Sequence, residues 1–465
     1  MASQAATPKG TPAGAAVGGR YIPASHTDRS IGSTIAGIAF EHPSRTRWFI
    51  AFGISFLMTG WLVIALGWLF YWGVGVWGNN IPVGWALDIV SYDWWMGNAC
   101  GALMVSALLL LLRQYWRGAL NRAAETVAVL CAAAAGVYPI IHLGRPWFFY
   151  WNLPYPNNLL LWPQFRSPLV WDAFDIISFL IVAVLFWYVG MVPDLATLRD
   201  RASRLIQKQM YGVAALGWRG SAVHWARWLQ AYRILAILGV LQAVCVQVGA
   251  SVMYAGTVEP GWHDTLLPVL FIVTAALSGL GMIAVLVSVI RYLYPVESLI
   301  TRAHLDILGR LILAVGLLAT YCYAADFFFT ALGGDAYDRG ALMRRFSGTY
   351  AWSWWLIVAA ALAPIHLLWF RGIRRSAFML FVIGFLMMAG VWGDHFMTLV
   401  PPQHHDFLPS SQAFYTTSFW AVTTYLGTVG LFSMLVLLVI RYVPIASIIE
   451  SRLLARQQQE EAQHA

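Results

Sequence analysis

The stretch from Trp48 to Trp72 reads WFIAFGISFLMTGWLVIALGWLFYW and contains no Asp, Glu, Lys or Arg. A helix needs roughly 20 mainly apolar residues to cross a bilayer core, so this run is long enough to span a membrane. The run extends from about 48 to 76, and nine more follow it. They lie at about 94–112, 123–141, 169–191, 231–254, 265–290, 308–332, 352–370, 376–399 and 413–440. The chain therefore reads as an all-α polytopic membrane protein with ten transmembrane helices.

Composition agrees with this reading. Of 465 residues, 60% are hydrophobic and 11% are charged, whereas an average soluble domain has about a quarter charged. A soluble enzyme, a disordered chain and a nucleic-acid-binding protein are all excluded, despite a formal net charge of +8. Ten spans place both termini on one side. The tails and the loops after spans 2, 4, 6 and 8 hold 24 of the 29 Lys and Arg residues; the opposite loops hold Arg145, Arg166, Arg339, Arg344 and Arg345. Positive charge accumulates on cytoplasmic loops, so both termini are expected in the cytoplasm. Three regions follow: a flexible N-terminal tail (1–47), a ten-helix domain (48–442) and a C-terminal tail (443–465). The last residues, Gln457 to Ala465, are polar and expected to fray. The first apolar run is too long for a signal-peptide core, so no cleaved leader is expected.

The scarce polar residues of the spans are candidates for chemistry, because ionisable groups at membrane depth are costly and face a cavity, a partner or a pathway. Asp88, Asp93, His142, Asp172, Asp175, Asp326, Asp394 and His395 fall near the outer ends; Glu125, Asp306 and His366 fall near the inner ends. Asp172 and Asp175 share roughly one helix face at i and i+3, and a carboxylate also suits a helix N-terminus. His142 closes span 3, where Pro146 stops the helix, and a short outer loop returns it near Asp172; it is either an acceptor there or a satisfied helix-end residue. Asp326 sits in Ala-Asp-Phe-Phe-Phe, where desolvation would raise a carboxyl's pKa. No metal site is expected. Cys100, Cys131, Cys245 and Cys322 lie in apolar runs with no CxxC pair, unlike the close thiolates of an iron–sulfur cluster. No helix stacks two histidines for a haem. Spans 2–5 and 6–9 suggest two four-helix bundles, flanked by spans 1 and 10.

Several stretches are distinctive. They are Ile81–Trp85 (IPVGW), Leu110–Gln114 (LLLRQ), His142–Trp151 (HLGRPWFFYW), Leu161–Asp172 (LWPQFRSPLVWD), Phe186–Asp200 (FWYVGMVPDLATLRD), Pro260–His263 (PGWH) and His405–Ser411 (HDFLPSS). They resemble the NrfD/polysulfide-reductase family of membrane subunits, and within it the C subunits of bacterial alternative complex III. The resemblance implies a subunit of the bacterial inner membrane that binds quinol (menaquinol or ubiquinol) near the outer surface and holds no redox centre itself. Its implied partners are an iron–sulfur/molybdopterin-like periplasmic subunit, multihaem and monohaem cytochromes c, a homologous membrane subunit and a terminal oxidase. It also implies that His142 and Asp172 line the quinol site and that Asp326 serves a proton path. The chain departs from the family pattern at Ser251-Val252-Met253, at Cys100 and at Gly393-Asp394-His395.

From these readings, His142 and Asp172 are expected to accept the quinol protons. Arg145, Trp147, Phe148 and Trp171 are expected to hold the headgroup and tail. Asp175, Asp326, Asp394 and His395 would carry protons outward, with Glu125 and His366 on the inner side. Two alternatives stay open. One is a non-catalytic, proton-conducting anchor of the same type of complex. The other is a secondary transporter, disfavoured because transporters place polar groups at mid-membrane and these mid-spans are nearly bare.

Overall fold

A computed structural model describes residues 21–43, 45–153, 168–405 and 407–464. Residues 161–167 of one quoted motif, including Arg166, lie outside them, as do Asp406 and residues 1–20 of the expected tail. The helices are α1 (Asp28–Glu41), α2 (Arg45–Trp72), α3 (Leu87–Leu111), α4 (Asn121–His142), α5 (Pro168–Arg201), α6 (Leu205–Ala214) and α7 (Ala222–Ala255). Then come α8 (Leu267–Leu293), α9 (Arg302–Gly333), α10 (Ala336–Ser347), α11 (Ala351–Leu356), α12 (Arg371–Arg374), α13 (Ala377–His404), α14 (Phe419–Tyr442) and α15 (Ile448–His464). There is no strand among the described residues. Among the same residues, ten helical segments are long and apolar enough to cross a membrane. They are α2, α3, α4, α5, α7, α8, α9, α11 with its continuation, α13 and α14. α11 runs on through a π-helical turn (Ile357–Leu362) and a 3-10 turn (Pro364–Trp369).

The spans form two four-helix groups. α3, α4, α5 and α7 pack together, as do α8, α9, α11 and α13; α2 and α14 pair on the flank. The groups meet mainly where α3 crosses α8. This seam depends on glycine. A Cβ on Gly101 would collide with the Ala275 carbonyl, and one on Gly279 would collide with the Ala102 backbone. Between apolar helices no hydrophobic force favours association over lipid, so small residues that allow backbone contact supply the packing. Asn98 and Ser278 reinforce the seam with a buried hydrogen bond of 2.8 Å.

Two tail expectations change. Asp28–Glu41 is a helix, capped by a reciprocal Thr27–Ser30 hydrogen-bond pair. Its Ile31, Ile35 and Ile38 are buried where α1 packs on α14 and α15. An apolar stripe at i, i+4 and i+7 is enough to hold a surface helix to a core, though too short to register as a span. The C-terminal segment is likewise helical to His464, and Gln458 accepts the Ile22 amide at 3.1 Å.

The span ends also move. α7 begins at Ala222, before its hydropathic limit, because Ser221 caps it by accepting the His224 amide. At this Arg-rich end, α6 exposes Leu205, Ile206, Met210 and Val213 and buries none of its residues.

Candidate functional site

At the end of the first bundle where α4 stops, a cavity of about 480 Å³ opens between α3, α4, α5 and α7. Its walls are mainly apolar and aromatic, with Trp85, Ile176, Met253 and Phe149 among them. Into them project four polar side chains: His142, Asp172, Tyr92 and Tyr254. Pro139 and Gly136 of α4 also line it. They thin the wall there, since neither carries a long side chain.

The polar groups come in pairs. His142, the last residue of α4, bonds through Nδ1 to Asp88 in the first turn of α3. Asp88 also accepts the Ala86 amide at 3.1 Å, so the carboxylate is fixed from two sides. The Nδ1 proton then lies toward Asp88, which leaves Nε2 as the acceptor of a neutral imidazole. One turn further along α3, the Tyr92 hydroxyl donates to Asp172 at 2.8 Å. Next to it, Tyr254 donates to the buried Asp93 at 3.0 Å. The cavity thus presents an imidazole and a carboxylate within one apolar space, each oriented by a partner on α3.

The expected acceptors, His142 and Asp172, therefore share one cavity. The expected headgroup residues do not line it. Trp147, Phe148 and Trp171 are largely exposed, and Arg145 is exposed at the mouth of the turn that follows α4. Phe149 lines the cavity instead. The cause is the local winding: Pro146–Asn152 is a 3-10 turn with three residues per turn, so Phe149 takes a different face from Trp147 and Phe148. Asp175 also points elsewhere, toward Gly249 on α7. Of the three departures, Met253 lines the cavity, Cys100 is buried within α3, and Gly393-Asp394-His395 belongs to the second bundle.

A second cavity, of about 290 Å³, lies at the same end of the second bundle. Asp264, Asp326, Arg344, Arg345, His404 and His405 reach it. The apolar setting expected for Asp326 is not what surrounds it. Asp326 is ion-paired with Arg345 of α10, a loop helix that folds back over the end of α9. The Asp264 carboxyl stands within hydrogen-bonding reach of Asp326. Burial first, and Asp326 second, push Asp264 up to about 6. Behind this cavity the side chains of Tyr323 and Asp394 lie close together.

The inner-end candidates do not form a chain. Glu125 is locked among Arg122 at 2.8 Å, Tyr232 and Ser106 at 3.0 Å. His366 is exposed on a turn of the other bundle. Asp306 pairs with Arg310 at 2.8 Å and Arg374 at 2.9 Å. Among the described residues no three His, Cys, Asp or Glu side chains converge as a metal site.

Three relationships to known proteins bear on this geometry. Residues 75–405 match the family described as "Polysulphide reductase, NrfD". The chain is 26% identical over 281 residues to the putative membrane C subunit of a dimethyl sulfoxide reductase from Halobacterium salinarum, covering 57% of this chain and 59% of that protein. It is 24% identical over 216 residues to the C subunit of the selenate reductase from Mesobacillus selenatarsenatis, covering 44% and 48%. The match thus spans between 48% and 59% of these relatives' length.

Proposed function

Because the chain belongs to the polysulphide reductase NrfD family, we propose that it is the quinol-binding membrane subunit of an oxidoreductase complex, of the alternative complex III type. The carrying observation is the apolar cavity lined by both His142 and Asp172. A hydroquinone is a flat ring with a hydroxyl at each side and an apolar tail. The cavity offers an acceptor for each hydroxyl and aromatic walls for the ring, within the size range of small-molecule sites.

Oxidation of a quinol to a quinone releases two protons and two electrons. His142 accepts one proton at Nε2, and Asp88 stabilises the imidazolium through Nδ1. Asp172 accepts the other, and Tyr92 holds its carboxylate in place. Trp85 and Phe149 pack on the ring and exclude water. The electrons pass to a metal-cluster partner, here an iron–sulfur or molybdopterin-like subunit, and on to c-type cytochromes and an oxidase. The relatives support the partner class, since both carry the names of reductase subunits. Menaquinol or ubiquinol would both fit this chemistry. The Arg-rich end faces the cytoplasm of a bacterial inner membrane, by the positive-inside rule. The cavity then opens outward, and the protons are delivered to that side, with Asp326, Asp394 and His395 in the exit. The neighbouring Asp175 faces Gly249 of α7.

Activity of the purified complex tests the assignment. His142→Ala and Asp172→Asn each lower quinol oxidation about 100-fold or more, the usual range for a positioned proton acceptor. Full activity in both variants refutes the site. The alternative, a non-catalytic anchor, draws on Met253, an apolar side chain in the cavity wall at a position where the chain departs from the family pattern. It predicts full activity in both.

A further inference from the structure

The second bundle holds a buried pair to which the reading above gives a place in the proton exit but no route. His395 is 2% exposed and Asp394 is 1% exposed. Neither ring nitrogen of His395 meets a hydrogen-bond partner among the described residues, and nor does Asp394 Oδ1. Burying such groups without partners is costly. His395 packs edge-on against Phe271, and its Nε2 is turned toward Gly97 of α3, where a Cβ would stand 3.5 Å away. A glycine there keeps the approach open.

These positions join the two cavities. On the first side, Tyr254 lines the quinol cavity and donates to Asp93. Gly97 follows Asp93 by one helical turn, so the two share a face of α3. His395 sits opposite Gly97, across the seam between the bundles. Asp394 is its chain neighbour and lies beside Tyr323 of α9. Asp326 follows Tyr323 by three residues on α9, again on one face, and reaches the second cavity with Arg345 and Asp264. The order is Tyr254, Asp93, His395, Asp394, Tyr323 and Asp326.

We infer that His395 is a proton relay across the bundle interface, carrying a quinol proton from the first cavity sideways into the second. The inference rests on the quinol reading above. Water is the partner that suits the open nitrogens, because buried water typically satisfies two to four polar groups that protein leaves unmatched. One proton then leaves directly by His142 and Asp88 at the cavity mouth. The other passes from Asp172 to its neighbour Asp93, moves through water to His395, and reaches the Asp264–Asp326 carboxyl pair. Only protons travel this route; both electrons leave to the partner's metal cluster.

The test uses the purified complex with decylubiquinol and menadiol as substrates and ferricyanide as acceptor. His395→Leu lowers kcat roughly tenfold or more, leaves KM unchanged and raises the solvent deuterium isotope effect. Tyr323→Phe does the same while removing one hydroxyl and no packing volume, so it carries the test if the His395 variant fails to assemble. Wild-type kcat and isotope effect in Tyr323→Phe overturn the relay, as does the same result in His395→Leu. Loss of activity in Asp172→Asn beside normal His395 and Tyr323 variants refutes the relay alone. Full activity in both Asp172→Asn and His142→Ala removes the quinol site itself.

Discussion

His142 works through the nitrogen it does not give to Asp88. The same logic holds for Asp172, whose orientation comes from Tyr92, and for Asp326, whose charge is set by Arg345. Asp264 is the member of the second cavity that can be followed by titration from outside the spans. Its pKa is raised to about 6, by burial first and then by Asp326. A carboxyl with a raised folded-state pKa favours folding while protonated. That contribution is complete below its unfolded value and is lost as pH rises through 6. The thermal midpoint of the wild type is therefore expected to fall relative to Asp264→Asn between about pH 4 and 7; a constant difference across that window contradicts this. At this scale the sequence is half legible. His142 and Asp172 stand out because a proline marks each helix end. Tyr92 and Tyr254 do not, because their roles come from residues 80 and 161 positions away. In a chain with 20 tyrosines nothing local distinguishes two of them. Trp147 and Phe148 are misplaced by sequence reasoning because the turn after α4 winds with three residues per turn, a phase that hydropathy does not show.

Among the elements, the spans are readable because length and apolarity are demanded by the bilayer alone. Short helices held by tertiary contact are not: α1 and α10 acquire their place from α15 and α9. Helix ends overshoot their apolar limits, as at α7, because capping and propensity end a helix while hydropathy ends only its buried stretch. The α3–α8 seam makes the sharpest demand on particular residues. Gly101→Leu or Gly279→Leu would force the crossing backbones apart. Overpacking of this kind costs about 1–3 kcal/mol, and here it separates the two bundles. Lower thermal stability in detergent is expected, together with faster proteolysis between α7 and α8. An unchanged melting midpoint would mean that the seam is looser than its contacts indicate.

The molecule as a whole is closed at its Arg-rich end by charge. Arg117, 2% exposed, pairs with Glu450 at 2.6 Å, bonds Tyr232 at 2.8 Å and reaches Glu125 at 3.9 Å. Arg122 joins Glu125 to Asp194 at 2.7 Å, and Asp194 accepts the Ile448 amide at the start of α15 at 3.1 Å. Removing one partner from a buried pair costs about 3–5 kcal/mol. Glu450→Gln is therefore expected to lower stability by about 3 kcal/mol, since Glu125 and Tyr232 still hold Arg117, and thermal unfolding of the purified protein measures it. This network also orders events in biosynthesis. Arg117 enters the nascent bundle with the early spans, but its closest counter-ion is made 333 residues later. Until the ribosome has passed the last span and begun α15, a cation stands inside the bundle without that partner. A chain that stops before Glu450 carries its own defect, which membrane proteases that recognise exposed charge can read.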